Sequence, residues 1–123
     1  MHIETLFKIV LDCAFTVHTN LGPGLLESAY EHCLCFELEK LGVLVERQKA
    51  LPLVYDQVKL EAGYRIDILV QKKIVVEIKS VEALADIHMA QIITYLKLSD
   101  CRLGLLANFN VNHFKDGFRR VIN

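Results

Sequence analysis

Two short apolar segments sit three residues apart in the middle of the chain, and each carries charge where a buried strand would have none. They are Arg65-Ile66-Asp67-Ile68-Leu69-Val70 and Ile74-Val75-Val76-Glu77-Ile78-Lys79. Their β-branched content predicts strands, and Gln71-Lys72-Lys73 between them predicts a hairpin, although without the Asn-Gly pair that tight hairpins favour. Side chains alternate between faces along a strand. Ile66, Ile68 and Val70 are therefore expected on one face and Asp67 on the other. On the second strand Val76 and Ile78 oppose Glu77 and Lys79. A three-residue loop pairs Val70 with Ile74 and sets Asp67 opposite Glu77, with Cβ atoms about 4.5–5.5 Å apart. Like charges at that spacing destabilise the pair unless something positive lies between them. A hard cation with oxygen ligands would satisfy both carboxylates, with Lys79 on the same face beside it. A one-residue slip in register would undo this arrangement.

The flanking sequence has a different period. Ile3, Leu6, Phe7, Val10, Ala14 and Val17 recur at helical spacing, which predicts a helix from Ile3 to about Asn20, stopped by Leu21-Gly22-Pro23-Gly24. A second helix is expected from about Leu25 to Leu41, ended by Gly42. Val43–Val45, Leu51–Val54 and Val58–Leu60 read as short strands. After the hairpin, whose second strand is read as far as Val81, a helix is expected from about Ala85 to Leu98 and a strand from Leu103 to Asn108. The tail from Val111 reads as a short helix and an end segment. The strand–helix–strand unit from Ile74 to Asn108 implies one parallel pairing with a right-handed crossover. Helices packed on a mixed sheet bury all these apolar faces most simply.

The chain has 123 residues, enough for one core, so residues 1–123 are expected to form a single domain. Hydrophobic residues make up 53 %, which excludes extensive disorder. A net charge of -1 argues against a broad electrostatic grip on nucleic acid but leaves room for a local basic patch. Cys13, Cys33, Cys35 and Cys101 have no zinc-site spacing and read as free thiols in a reducing compartment. There is no secretory leader pattern and no apolar run near the ~18 residues a membrane span needs. The expectation is a soluble, cytoplasmic protein with no membrane partner.

Asp67, Glu77 and Lys79 are the minimum set for metal-assisted phosphodiester hydrolysis. The carboxylates hold a metal that polarises the phosphate and acidifies a water, and the ammonium stabilises developing charge. A solvated strand face bearing the same three residues is the plain alternative.

Asp67, nine intervening residues and Glu77-Ile78-Lys79 resemble the D…(D/E)xK signature of the PD-(D/E)XK nucleases. Gly24-Leu25-Leu26-Glu27-Ser28-Ala29-Tyr30 resembles the motif of the GxxExxY family of small bacterial and archaeal proteins, which is grouped with them. The resemblance runs from Val17-His18 through Glu46-Arg47-Gln48, Tyr64 to Asp67, His88, Gln91 and Tyr95-Leu96-Lys97-Leu98 to Leu103–Phe109, nearly the whole chain in order. It implies an α/β, restriction-endonuclease-like core with a mixed central sheet flanked by helices. It also implies a Mg²⁺- or Mn²⁺-dependent nuclease acting on DNA or RNA. By position, Asp67, Glu77 and the carbonyl of Ile78 would hold the metal, and Lys79 would be the catalytic lysine. Glu27 and Gln91 would assist.

Other residues remain open to two readings. Glu27 would otherwise complement the positive end of its helix. His88, Gln91 and Tyr95 fall on one helical stripe that faces either water or a cleft over the hairpin. Arg47 and Gln48 would touch substrate phosphate or be solvated. His18 suits a bond to backbone carbonyls, Tyr30 suits the core, and Lys115, Arg119 and Arg120 form a modest basic tail. Dimerisation or a partner protein would supply binding surface that so small a domain lacks. The rival function is a non-catalytic nucleic-acid or protein interaction module that retains the fold.

Overall fold

The computed structural model describes residues 1–61 and 63–123. Helices α1 (Ile3–Leu21) and α2 (Glu27–Lys40) precede strands β1 (Val45–Ala50), β2 (Leu53–Tyr55), β3 (Val58–Leu60), β4 (Arg65–Val70) and β5 (Ile74–Lys79). Helix α3 (Asp86–Ser99), strand β6 (Leu103–Asn108), a 3₁₀ turn (Phe114–Asp116) and strand β7 (Phe118–Ile122) follow. Five strands form one mixed sheet in the order β1-β4-β5-β6-β7, and β2 and β3 form a separate small hairpin. β5 and β6 pair in parallel through α3, while the other neighbours in the large sheet are antiparallel. The strand–helix–strand expectation and the mixed sheet flanked by helices are both met.

Each face of the sheet buries its own cluster. α1 and α2 pack through Leu6, Val10, Ala14, Tyr30, Leu34 and Leu38 onto Ile68, Val70, Val76, Ile78 and Leu105. α3 packs through Ile92, Tyr95 and Leu96 onto Leu69, Val75, Leu106 and Val121. β6 is buried at all six positions, as a central strand covered on both faces should be. Gly104 lets α3 approach, because a Cβ there would lie 3.0 Å from Ile92 Cδ1.

Local chemistry accounts for the helix ends. Gly42, at φ 73°, closes α2 with bonds from Val43 N to Leu38 O and from Gly42 N to Glu39 O, the paired pattern of a Schellman cap. α2 itself begins at Glu27, two residues later than the periodicity predicts.

Four strand expectations need correction. Val43–Val45 reads as a strand, yet β1 begins at Val45 and runs through the polar Glu46-Arg47-Gln48-Lys49. It is an edge strand whose side chains are recruited by α2 and by the β4–β5 turn, so its hydrophobic signal is absent. The run read from Leu51 begins as a strand only at Leu53, past Pro52, which cannot donate to a ladder. The tail holds β7 as well as the short 3₁₀ turn, because the open edge of β6 takes up Phe118–Ile122 as a partner. β5 ends at Lys79, and Ser80 and Val81 lie beyond it. The buried Asn108 side chain then serves as a substitute strand, accepting from Val81 N at 3.1 Å and donating to Val81 O at 3.0 Å.

Candidate metal centre

The β4–β5 turn places Gln71 and Lys72 at φ 52° and 57°, with Lys73 N donating to Val70 O at 2.9 Å. Positive φ at both central residues is what a right-twisting two-strand ribbon requires, and here Gln and Lys supply it without glycine. The resulting register is Val70↔Ile74, Leu69↔Val75 and Ile68↔Val76. The next step brings Asp67 to Glu77, as the three-residue loop predicts. No ladder pair forms there. Instead Asp67 N donates to Glu77 Oε2 at 2.9 Å, and Ile78 N donates to Asp67 Oδ2 at 2.8 Å. Each carboxylate thus takes an amide of the opposite strand in place of a carbonyl.

The same level is interrupted on the other side of β4. Arg47↔Ile68 and Lys49↔Ile66 are paired, but Gln48 between them is not, and its φ is 51°. A non-glycine residue at positive φ inside a strand is strained. The strain turns the Gln48 amide towards two acids, donating to Glu31 Oε1 at 2.8 Å and to Asp67 Oδ1 at 3.3 Å. Gln48, Asp67 and Glu77 therefore form one row across β1, β4 and β5. The distortion also carries Ile66 into the cluster beneath α3. Strict alternation would have put it with Ile68 and Val70, so that expectation is corrected.

Glu77 is 3 % exposed. Burial, and then the Asp67 carboxylate, push its pKa from 4.5 up to about 8, against the opposing pull of the Asp67 amide and Lys79. Burial raises Asp67 as well, with Glu31 adding to the effect. Lys79, two residues along the same strand face, makes no ion pair among the described residues. Among those residues no group of three or more His, Cys, Asp or Glu side chains converges as a cage. The donor set is two carboxylates, all hard oxygen. Such a pair suits Mg²⁺ or Mn²⁺, which keep several waters and need one or two protein carboxylates, better than metals that need a closed cage.

The remaining residues divide between two depressions beside this row. A crevice of about 350 Å³ is lined by Glu27, Ser28, Glu31, Arg47, Gln48 and Asp67. Glu31 is the residue that sequence reasoning overlooks. It is 5 % exposed and bonded by Arg47 Nε at 3.1 Å and Nη2 at 2.7 Å. Its spacing of four from Glu27, on one helix face, is the signal that would have found it. Arg47, read as a candidate phosphate contact, is thus committed to Glu31. Glu27 accepts from Ser80 N at 3.1 Å, so it holds the end of β5 as well as the crevice rim.

The second depression, about 530 Å³, lies between α3 and the β2–β3 region and takes in Lys79, His88, Gln91 and Tyr95. The polar stripe of α3 therefore faces this cleft. Gln91 donates to the Tyr95 hydroxyl at 3.2 Å, and His88 Nδ1 accepts from Ala85 N at 2.9 Å. Neither side chain bonds to Asp67 or Glu77. Burial and then the charge of Glu77 raise the Tyr95 hydroxyl, which places the cleft within electrostatic reach of the carboxylates.

Other candidates lie elsewhere. His18 Nε2 donates to Val111 O at 2.7 Å, a backbone carbonyl far along the chain. Tyr30 is buried and stacks on Phe109 at 4.6 Å. In the tail, Arg120 pairs with Glu4 at 2.6 Å and covers the Phe7 ring, so it is committed within the protein. Cys13, Cys35 and Cys101 are buried, Cys33 is half-buried, and all four are free.

Helices on both faces of a mixed sheet, with an acid on one central strand and an acid-x-lysine on the next, define a nuclease-like α/β protein. The chain belongs to the PD-(D/E)XK nuclease superfamily, which it matches over residues 4–121. Membership implies nuclease-type function on a nucleic-acid substrate, and nucleases of this kind generally use divalent metals. No curated protein and no solved structure matches the chain. Among the described residues no helix is long and apolar enough to cross a membrane.

Proposed function

We propose that this protein is a Mg²⁺- or Mn²⁺-dependent phosphodiesterase that hydrolyses nucleic acid, and that it is a member of the GxxExxY group within its superfamily. The observation that carries the reading is the Asp67–Glu77 pair. Two carboxylates on adjacent strands are each held by a backbone amide of the opposite strand, Glu77 by that of Asp67 and Asp67 by that of Ile78, and both are pushed up in pKa by burial and like charge. Such a pair is costly by itself and is relieved by a cation. Perturbed acids of this kind cluster at functional sites.

Asp67 and Glu77 would hold the metal, Glu77 through the oxygen that the Asp67 amide leaves free and Asp67 through Oδ1, which it shares with the Gln48 side chain, with the Ile78 carbonyl as a further ligand. When bound, the metal acidifies a water and polarises the phosphate. Lys79 places its ammonium beside the scissile phosphate, where it orients the attacking water and neutralises charge on the non-bridging oxygens. Gln48 orients Asp67, and the Arg47–Glu31 pair holds Gln48 in its strained conformation. Glu27 fixes the strand end that carries Lys79. The GxxExxY residues act together: Gly24 lies at φ 100°, Tyr30 ties down the loop around it, and Glu27 docks that loop onto Ser80.

The test is cleavage of labelled single-stranded DNA, duplex DNA and RNA with Mg²⁺, Mn²⁺ or EDTA. Wild type should cut one or more substrates only with metal, and Asp67→Ala and Lys79→Ala should each lose at least about 100-fold in rate. Folded wild-type protein that cuts nothing and gains no thermal stability from either metal would leave the interaction-module reading in its place.

A further inference from the structure

The cleft beside Lys79 is larger than the proposed hydrolysis needs. Its volume of about 530 Å³ falls within the range of roughly 300–1,000 Å³ typical of small-molecule sites. Its character is split. Leu53, Tyr64 and Tyr95 give it apolar and aromatic walls, while Gln91, Thr94 and Lys79 bring donors and acceptors to it. The Tyr64 and Tyr95 rings sit 6.3 Å apart at 60°, so they are not stacked on each other. Tyr64 is 44 % exposed. The cation is at the end that meets the carboxylate row, because Lys79 shares a strand face with Glu77.

The molecule has no net positive charge with which to grip a polyanion. Its net charge is -1. Arg47 is committed to Glu31, Arg120 to Glu4, and Lys49 and Lys72 to Glu46. Arg65, Lys73, Lys97 and Arg119 are among the described cations that make no ion pair, but with no net positive charge a contact that does not depend on charge would add most to the grip. Aromatic side chains bind bases by stacking, whatever the sequence, provided the base is unpaired.

Resting on the nuclease reading of the neighbouring carboxylates, we propose that this cleft binds one unpaired nucleobase, stacked on Tyr64 and edged by Gln91 and Thr94. The phosphate attached to that nucleotide then lies at Lys79. The preferred substrate is a single-stranded segment or an unpaired end of DNA or RNA. A duplex would first have to give up a base pair. Because Lys79 is the one cation lining the cleft, the base-dependent part of binding should weaken only shallowly with salt.

The test reads binding without catalysis. A labelled single-stranded oligonucleotide, in EDTA, is competed by unlabelled single-stranded DNA, single-stranded RNA, duplex, and an abasic chain with the same number of phosphates. The base-bearing single strands should compete about 10-fold or more better than the abasic chain. Tyr64→Ala should remove most of that difference, and Tyr64→Phe should restore it. Ala90→Leu, on an exposed helix position that lines the cleft, should fill the space without offering a π-face and have the same effect as Tyr64→Ala. Equal competition by the abasic chain or by duplex would overturn the proposal, as would unchanged affinity in both cleft-altering variants. The cleft would then suit an apolar side chain of a protein partner. Base-dependent binding without metal-dependent cutting leaves the pocket standing and removes the nuclease reading. Metal-dependent cutting with base-independent binding does the reverse.

Discussion

A charged carboxylate with almost no solvent contact and another beside it costs stability. In the unfolded chain Glu77 titrates near 4.5, whereas in the folded protein it titrates near 8. Between those values the folded protein holds more protons than the unfolded chain, so stability falls as pH rises. The contribution is intact below about 4.5 and lost by about 8. Asp67, Glu31, Tyr95 and Lys79 face the same group, and Asp67 shifts in the same direction, so it adds to the slope. In EDTA, the thermal midpoint of wild type should therefore fall across this window. Glu77→Gln keeps an acceptor for the Asp67 amide and should flatten the fall, gaining more than about 1 kcal/mol over wild type near pH 8. Mg²⁺ should raise the wild-type midpoint and leave that of the variant unmoved. Parallel pH profiles for the two proteins, measured calorimetrically, would show that Glu77 bears no such cost. At this scale the sequence is explicit about Asp67, Glu77 and Lys79, since charge in an apolar strand is visible in one dimension. It is silent about Gln48, whose left-handed backbone depends on Glu31 and Asp67 arriving from other elements.

Among the elements, the α1–α2 loop is the device that aligns helix with sheet. The Tyr30 hydroxyl donates to Gly22 O at 2.6 Å and accepts from Leu25 N at 3.1 Å. Ser80 Oγ then donates to Leu25 O at 2.7 Å. Removing the hydroxyl leaves two backbone groups short of a partner, while the ring stays stacked on Phe109. Tyr30→Phe should lower the unfolding free energy by about 1–3 kcal/mol with an unchanged urea m-value. A loss below about 0.5 kcal/mol would mean that water replaces the hydroxyl without penalty. Helices were legible because their period extends over several turns. β1 and β7 were not, because short edge strands with solvated or recruited side chains carry no period-two signal. Their pairing with β4 and β6 is what makes them strands.

Across the whole molecule, the two faces of the sheet divide the labour. The α1–α2 face carries the larger apolar cluster and, at its edge, the polar crevice of Glu27, Glu31 and Asp67, whereas the α3 face opens into the wider cleft at Lys79. β7 seals the far edge. It pairs with a strand that is buried throughout, and Val121 belongs to the cluster under α3. Deleting residues 118–123 should expose the edge of β6 as a template for intermolecular pairing. The truncated chain should elute from a sizing column as larger species and lose its cooperative thermal transition. An unchanged elution volume and midpoint would show that β7 is dispensable.

Hydrophobic period, turn position and the spacing of Asp67 from Glu77 were enough to determine the helices, the central hairpin and its register. Each depends on residues close in the chain, where local sterics and side-chain alternation dictate geometry. Only the tertiary structure decided that the Asp67–Glu77 ladder step is replaced by carboxylate–amide bonds, that Glu31 and Arg47 brace Gln48, and that Tyr64 and α3 enclose a cleft at Lys79. Those features depend on side chains 10 or more residues apart, and burial and electrostatics take effect only once folding has brought them together.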